Sequence, residues 1–130
     1  MNSTRYNSVM LIDDNELDNF VNKKLIESEN FAGKIQVEQS AINAIEHLKK
    51  ASGEQIPDVI FLDIMMPDMD GFGFLAEFEK LGDHIKKQSK IVMLSTSESF
   101  KDLNKANQNR HVYKFLNKPL TKPVLDALNI

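Results

Sequence analysis

Cysteine is missing from all 130 residues. That excludes disulfides, thiol catalysis and cysteine-built zinc sites, and it suits a reducing compartment. No apolar run is long enough to span a bilayer. The first eight residues, MNSTRYNS, are polar and lack the apolar stretch of a signal peptide. Positive charge is not in excess either. The 16 basic and 19 acidic side chains are intermixed and leave a formal charge of −3, which argues against a nucleic-acid surface. The short basic cluster KKQSK at 86–90 reads as a solvated loop. Repeats, low-complexity tracts and linkers are also lacking. What remains, 42% apolar and 27% charged residues, is the balance of one soluble domain with a single core. It is expected in the cytoplasm.

Apolar runs and helical patterns alternate along the chain. SVMLI (8–12), DVIFLD (58–63) and KIVMLS (90–95) are runs expected of strands buried on both faces, and HVYKFL (111–116) is a further strand. KIQVEQ (34–39) alternates as a strand with one polar face does. Between them, helical spacing predicts inward faces at Leu17, Phe20, Val21 and Leu25, at Ala41, Ala44, Ile45 and Leu48, and at Phe74, Phe78 and Leu81. Phe100, Leu103 and Ala106 predict a weaker helix, diluted by Asn104, Asn107 and Asn109. A short last helix is expected with Thr121 as N-cap, Pro123 in the first turn, and Val124, Leu125 and Leu128 inward. Five strands alternating with five helices imply an α/β fold, a parallel sheet covered on both faces.

In such sheets ligands bind beyond the carboxyl ends of the strands. There the sequence places Asp13 and Asp14 after the first strand, Asp63 at the end of the third, and Ser95-Thr96 at the end of the fourth. Asn117-Lys118-Pro119 follows the fifth. Singly, each has an ordinary reading: Asp13 or Asp14 as a helix cap, Asp63 as a turn-former like Asp68 and Asp70, Ser95 as a cap, Lys118 as a solvated charge. Together they converge on one pocket. Three carboxylates there repel one another unless a cation is present. An all-oxygen site without His or Cys suits a hard cation, Mg²⁺ or Mn²⁺. A carboxylate beside a metal and a lysine can accept a phosphoryl group as an acyl phosphate.

MLIDDNE, VIFLDIMMPDMDG, IVMLSTS and FLNKPL together resemble the receiver domain of two-component response regulators, over nearly the whole chain. The resemblance implies a flavodoxin-like (βα)5 three-layer sandwich with strand order 2-1-3-4-5, and a single receiver domain over 1–130. It makes Asp63 the phosphoacceptor. Asp14, Asp63 and the Met65 backbone carbonyl would hold Mg²⁺, with Asp13 acting through bound water. Ser95 would hydrogen-bond a phosphoryl oxygen, and Lys118 would pair with Asp63 or its phosphate across a cis Lys118–Pro119 bond. Pro67 and Gly71 would shape the loop after the acceptor. Ser95 and Phe115 would be the switch pair, altering the 98–130 face when phosphorylated. The implied donor is a phosphohistidine on a sensor histidine kinase or histidine phosphotransfer protein, and the implied target is another protein rather than nucleic acid or membrane. Lys118 stands twelve residues before Ile130, so no output domain is expected.

Thr96 stands where the family commonly has a smaller residue, and its branched Cβ is expected to narrow access to the acceptor. Met65 and Ser97 occupy positions that tune acyl-phosphate hydrolysis, and neither is an acid or amide suited to orienting water. A long-lived phosphoform is therefore expected, and a half-life of seconds would contradict it. Three other readings compete. A receiver-like binding module without phosphorylation has no need of Asp13, Asp14, Asp63, Ser95 and Lys118 together. A phosphohydrolase needs a carboxylate at position 65, where Met65 stands, so no substrate turnover is expected. A flavin site is disfavoured by the acidic first loop, DDNELDN. His47, His84 and His111 have no ligand spacing.

Overall fold

The computed structural model describes residues 4–96 and 100–128. Five strands run β1 (Tyr6–Ile12), β2 (Ala32–Glu38), β3 (Val59–Asp63), β4 (Lys90–Ser95) and β5 (Val112–Asn117). They form one parallel sheet in the order β2-β1-β3-β4-β5. The helices are α1 (Glu16–Ser28), α2 (Ala41–Lys50), α3 (Gly71–Glu79), α4 (Asp83–Gln88), α5 (Phe100–Asn107) and α6 (Lys122–Ala127).

Alternation along the central strands divides the core in two. Met10, Ile12, Ile60, Leu62, Ile91 and Met93 point to one face and pack under Leu48 of α2, Phe74 and Phe78 of α3 and Ala106 of α5. Val9, Leu11, Val59, Phe61, Val92 and Leu94 point to the other, against Ile26 of α1 and Leu125 of α6. Three layers result, as the apolar runs imply. β3 is buried at all five positions, so its backbone is fixed up to the carboxylate that ends it. Among the described residues no helix is long and apolar enough to cross a membrane.

Two expectations are corrected. The face of α1 read as inward is outward: Leu17, Phe20 and Val21 are 68%, 59% and 50% exposed, and Leu25 is half-buried. The buried residues are Asn19, Asn22 and Ile26. Both sets have helical spacing, so periodicity alone does not fix the phase. Here Asn19 is held inward because its Nδ2 donates to the Asp13 carbonyl at 2.8 Å, while Lys24 lies over the Phe20 ring. The second correction is α4, which contains part of the KKQSK segment read as a loop. Ile85 pins it by burial, and Lys86 Nζ donates to the Glu79 carbonyl at 2.9 Å. Six residues are too few to display a helical period.

The α2, α3 and α6 faces agree with expectation. Ala41, Ala44, Ile45, Leu48, Phe74, Phe78, Leu125 and Leu128 are buried, and Val124 is half-buried. Thr121 caps α6, accepting from the Val124 N–H, with Pro123 in the first turn. On α5, Ala106 is buried and Leu103 half-buried.

Candidate functional site

The strand order places β1 beside β3, so the Asp13 and Asp63 ends lie next to each other where the chain reverses its direction of winding. Asn15, not Asp13 or Asp14, caps α1: its side chain accepts from the Asp18 N–H at 2.9 Å. Asp13 is nonetheless tightly held. Its Oδ1 accepts from the Asn15 N–H at 2.9 Å, its Oδ2 from Lys118 Nζ at 2.7 Å, and its carbonyl from Asn19. Asp14 is exposed. Carboxylate oxygens of Asp13, Asp14 and Asp63 lie within 4.8 Å of one another, a donor set that fits a divalent cation.

Asp63 is 5% exposed. Burial, with the charge of Asp13 beside it, pushes its carboxyl up to about 6, and Lys118 offsets only part of the rise. Lys118 Nζ lies 3.2 Å from Asp63 Oδ1. Burial alone lowers the Lys118 ammonium, but hydrogen bonds to Asp13 and Asp18 outweigh it and hold the group above its ordinary range. The lysine is aimed by its backbone as well: Ser95 pairs with Asn117 across β4 and β5, and the Lys118 N–H donates to the Ser95 carbonyl at 2.9 Å. The Lys118–Pro119 bond is cis. Ser95 is fully buried at the end of β4, Thr96 beside it is exposed, and Phe115 is half-buried against the core.

The loop after β3 is set by turn chemistry. Asp68 has φ of 68°, in the left-handed region, and Asp70 caps α3 by accepting from the Gly73 N–H at 2.8 Å. Neither belongs to the acidic cluster, as their turn-forming character implies. Met65 is 66% exposed, Pro67 is exposed too, and Ser97 lies outside the described residues. Gly71 closes the loop by donating its N–H to the Ile64 carbonyl at 2.8 Å. A Cβ there would stand 2.9 Å from the Asp63 carbonyl oxygen and 3.0 Å from Ile64 Cα. Both neighbours are backbone at the acceptor itself, so Gly71→Ala is expected to cost about 1–3 kcal/mol of stability. Chemical denaturation measures it, and a neutral result would contradict the tight contact.

One participant escaped the sequence reading. Asp18 on α1 places Oδ2 3.0 Å from Lys118 Nζ. An acid in the first turn of a helix is ordinary, and nothing in the sequence sets Asp18 apart from Glu16. None of the three histidines joins the acidic cluster among the described residues; His111 pairs with Glu79 at the far end of α3.

Residues 9–128 match the family described as the response regulator receiver domain. The structure resembles that of a two-component response regulator from Cytophaga hutchinsonii with a TM-score of 0.83, at 31% identity over 94% of this chain and 92% of that one. A probable methanogenesis regulatory protein, FilR2 of Methanothrix harundinacea, is 28% identical over 115 residues, 87% of this chain and 72% of its own length. BvgA of Bordetella pertussis, a putative positive transcription regulator of virulence factors, is 38% identical over 77 residues. That match covers 59% of this chain and 34% of BvgA, so the chain spans about a third of that relative. With fold, strand order and family match agreeing over nearly its whole length, the chain belongs to the response regulator receiver domains, the phosphoryl-accepting modules of two-component signalling.

Proposed function

We propose that the protein is a phosphorylation switch in which Asp63 takes a phosphoryl group from a phosphohistidine, with Asp14, Asp63 and the Met65 carbonyl as the residues that would hold Mg²⁺ and Asp13 acting through bound water. The observation that carries this reading is the Lys118 ammonium set between two buried carboxylates, Asp13 just after β1 and Asp63 at the end of β3. A carboxylate oxygen of Asp63 attacks phosphorus, the P–N bond to the donor imidazole breaks, and its electron pair returns to the ring nitrogen. Mg²⁺, when bound, offsets the charge of the carboxylates and of the incoming oxygens. Lys118 then donates to a phosphoryl oxygen, and so does the Ser95 hydroxyl at the end of β4. Mn²⁺ fits the same oxygen donors.

Charge-assisted hydrogen bonds contribute roughly 1.5–3 kcal/mol each. Two of them with the metal reach the roughly 5.5 kcal/mol that turns a 1:99 equilibrium into 99:1. Phe115 and α5 carry the change to the face that binds a partner protein. Met65 stands where an aspartyl phosphohydrolase carries its second carboxylate, so turnover of an external substrate is not expected and the reading is a switch. The donor is a sensor histidine kinase or phosphotransfer protein, and the setting is the cytoplasm.

The test is intact-mass spectrometry after incubation with Mg²⁺ and a small acyl-phosphate donor. One added phosphoryl group that requires the metal supports the switch. No adduct with a small donor or with a phosphohistidine donor leaves only a binding module.

A further inference from the structure

We infer that Asp18 is a positioning residue of this site: it holds the Lys118 ammonium in the resting state and competes with the phosphoryl group for it. The inference rests on the phosphorylation reading above. An ammonium has three protons to donate, and three carboxylates surround this one: Asp13 at 2.7 Å, Asp18 at 3.0 Å and Asp63 at 3.2 Å. The contact to the acceptor is the longest of the three, so the lysine leans toward Asp13 and Asp18. A phosphoryl group turns the Asp63 carboxylate into an acyl phosphate and brings three further acceptor oxygens, and Lys118 swings toward them only against the hydrogen bonds that hold it to Asp13 and Asp18.

Which one it releases follows from burial. The Asp13 side chain is 5% exposed, whereas that of Asp18 is 40% exposed. Losing the ammonium leaves Asp13 a buried charge with only the Asn15 N–H to offset it until a cation binds, but water can solvate Asp18 at once. Asp18 also stands outside the metal-ligating group of Asp13, Asp14 and Asp63. A divalent cation therefore weakens the hold of Asp13 and Asp63 on the ammonium while leaving that of Asp18 intact. Breaking the Asp18–Lys118 contact thus opposes phosphoryl recognition, and it links the acceptor to the first turn of α1.

The experiment titrates beryllofluoride, a phosphoryl mimic, in the presence of Mg²⁺ against the full chain and three variants. Asp18→Asn is expected to bind about fivefold more tightly than wild type, the size of a half-exposed charge-assisted hydrogen bond. Asp18→Glu, which restores the carboxylate, should return the affinity toward wild type. Glu16→Gln removes one charge from the same helix turn and controls for long-range repulsion. An Asp18→Asn affinity equal to or weaker than wild type overturns the inference, as does an equal gain from Glu16→Gln. A wild-type chain that does not bind beryllofluoride overturns the phosphorylation reading instead, and the inference with it.

Discussion

Asp63→Asn is expected to unfold later than wild type in metal-free buffer at neutral pH, although it can no longer accept a phosphoryl group. The residue is 5% exposed and its carboxyl is raised from 3.8 to about 6 in the folded protein. A group that binds its proton more tightly when folded supports folding only while protonated. That contribution is complete below about pH 4 and is lost as pH rises through about 6. Above that, the folded state carries a buried, partly repelled charge at a cost of roughly 2–3 kcal/mol. The isosteric amide removes it. Denaturation at several pH values measures the effect: the two proteins should be close in stability near pH 4, with the variant ahead by pH 7. Equal stability throughout would mean that Lys118 neutralises the acceptor completely. Saturating Mg²⁺ should reverse the order, because only wild type offers the third carboxylate to the cation.

Removing Lys118 should have the opposite sign. Its ammonium is the common partner of Asp13, Asp18 and Asp63, two of which are buried. Stripping the partner from buried charges costs on the order of 3–5 kcal/mol, and protonation of Asp63 keeps the loss near the lower end. Lys118→Met, which retains most of the side-chain volume, is therefore expected to lose about 3 kcal/mol without metal. A cation binding the same carboxylates replaces the missing charge. At one hundred times its dissociation constant, ligand binding stabilises by about 2.7 kcal/mol. The variant should consequently gain much more from Mg²⁺ than wild type does. Melting curves with and without Mg²⁺ decide this. An equal metal response in both proteins would show that ammonium and cation do not share ligands.

Strand ends were the most legible part of this chain. A buried run such as VIFLD has no structural reason to finish in a carboxylate, and three further strand ends carry chemistry-bearing residues as well. Each has an ordinary reading alone, and it is their common place at the carboxyl ends of parallel strands that marks Asp13, Asp14, Asp63, Ser95 and Lys118 as neighbours; the structure gathers the three carboxylates and Lys118 and seats Ser95 beside Lys118 across β4 and β5. The phase of α1 was not legible. Leu17, Phe20 and Val21 form a better apolar stripe than Asn19, Asn22 and Ile26, yet the latter are buried. A hydrogen bond from Asn19 to the end of β1 overrides hydrophobicity there, and only the tertiary structure reveals that bond. Asp18 is hidden for a related reason: in the first helical turn it looks no different from Glu16, and only the tertiary structure brings it to Lys118. Helix α4 escaped because one buried side chain, Ile85, fixes it.

The most direct measurement locates the phosphoryl group. After incubation with Mg²⁺ and an acyl-phosphate donor, borohydride reduces an aspartyl phosphate to homoserine, and peptide sequencing by mass spectrometry finds the altered residue. Homoserine at position 63 alone is the expected result. Homoserine at Asp13 or Asp14, or at no aspartate in a chain that has taken up phosphate, would contradict the assignment of Asp63 as the acceptor.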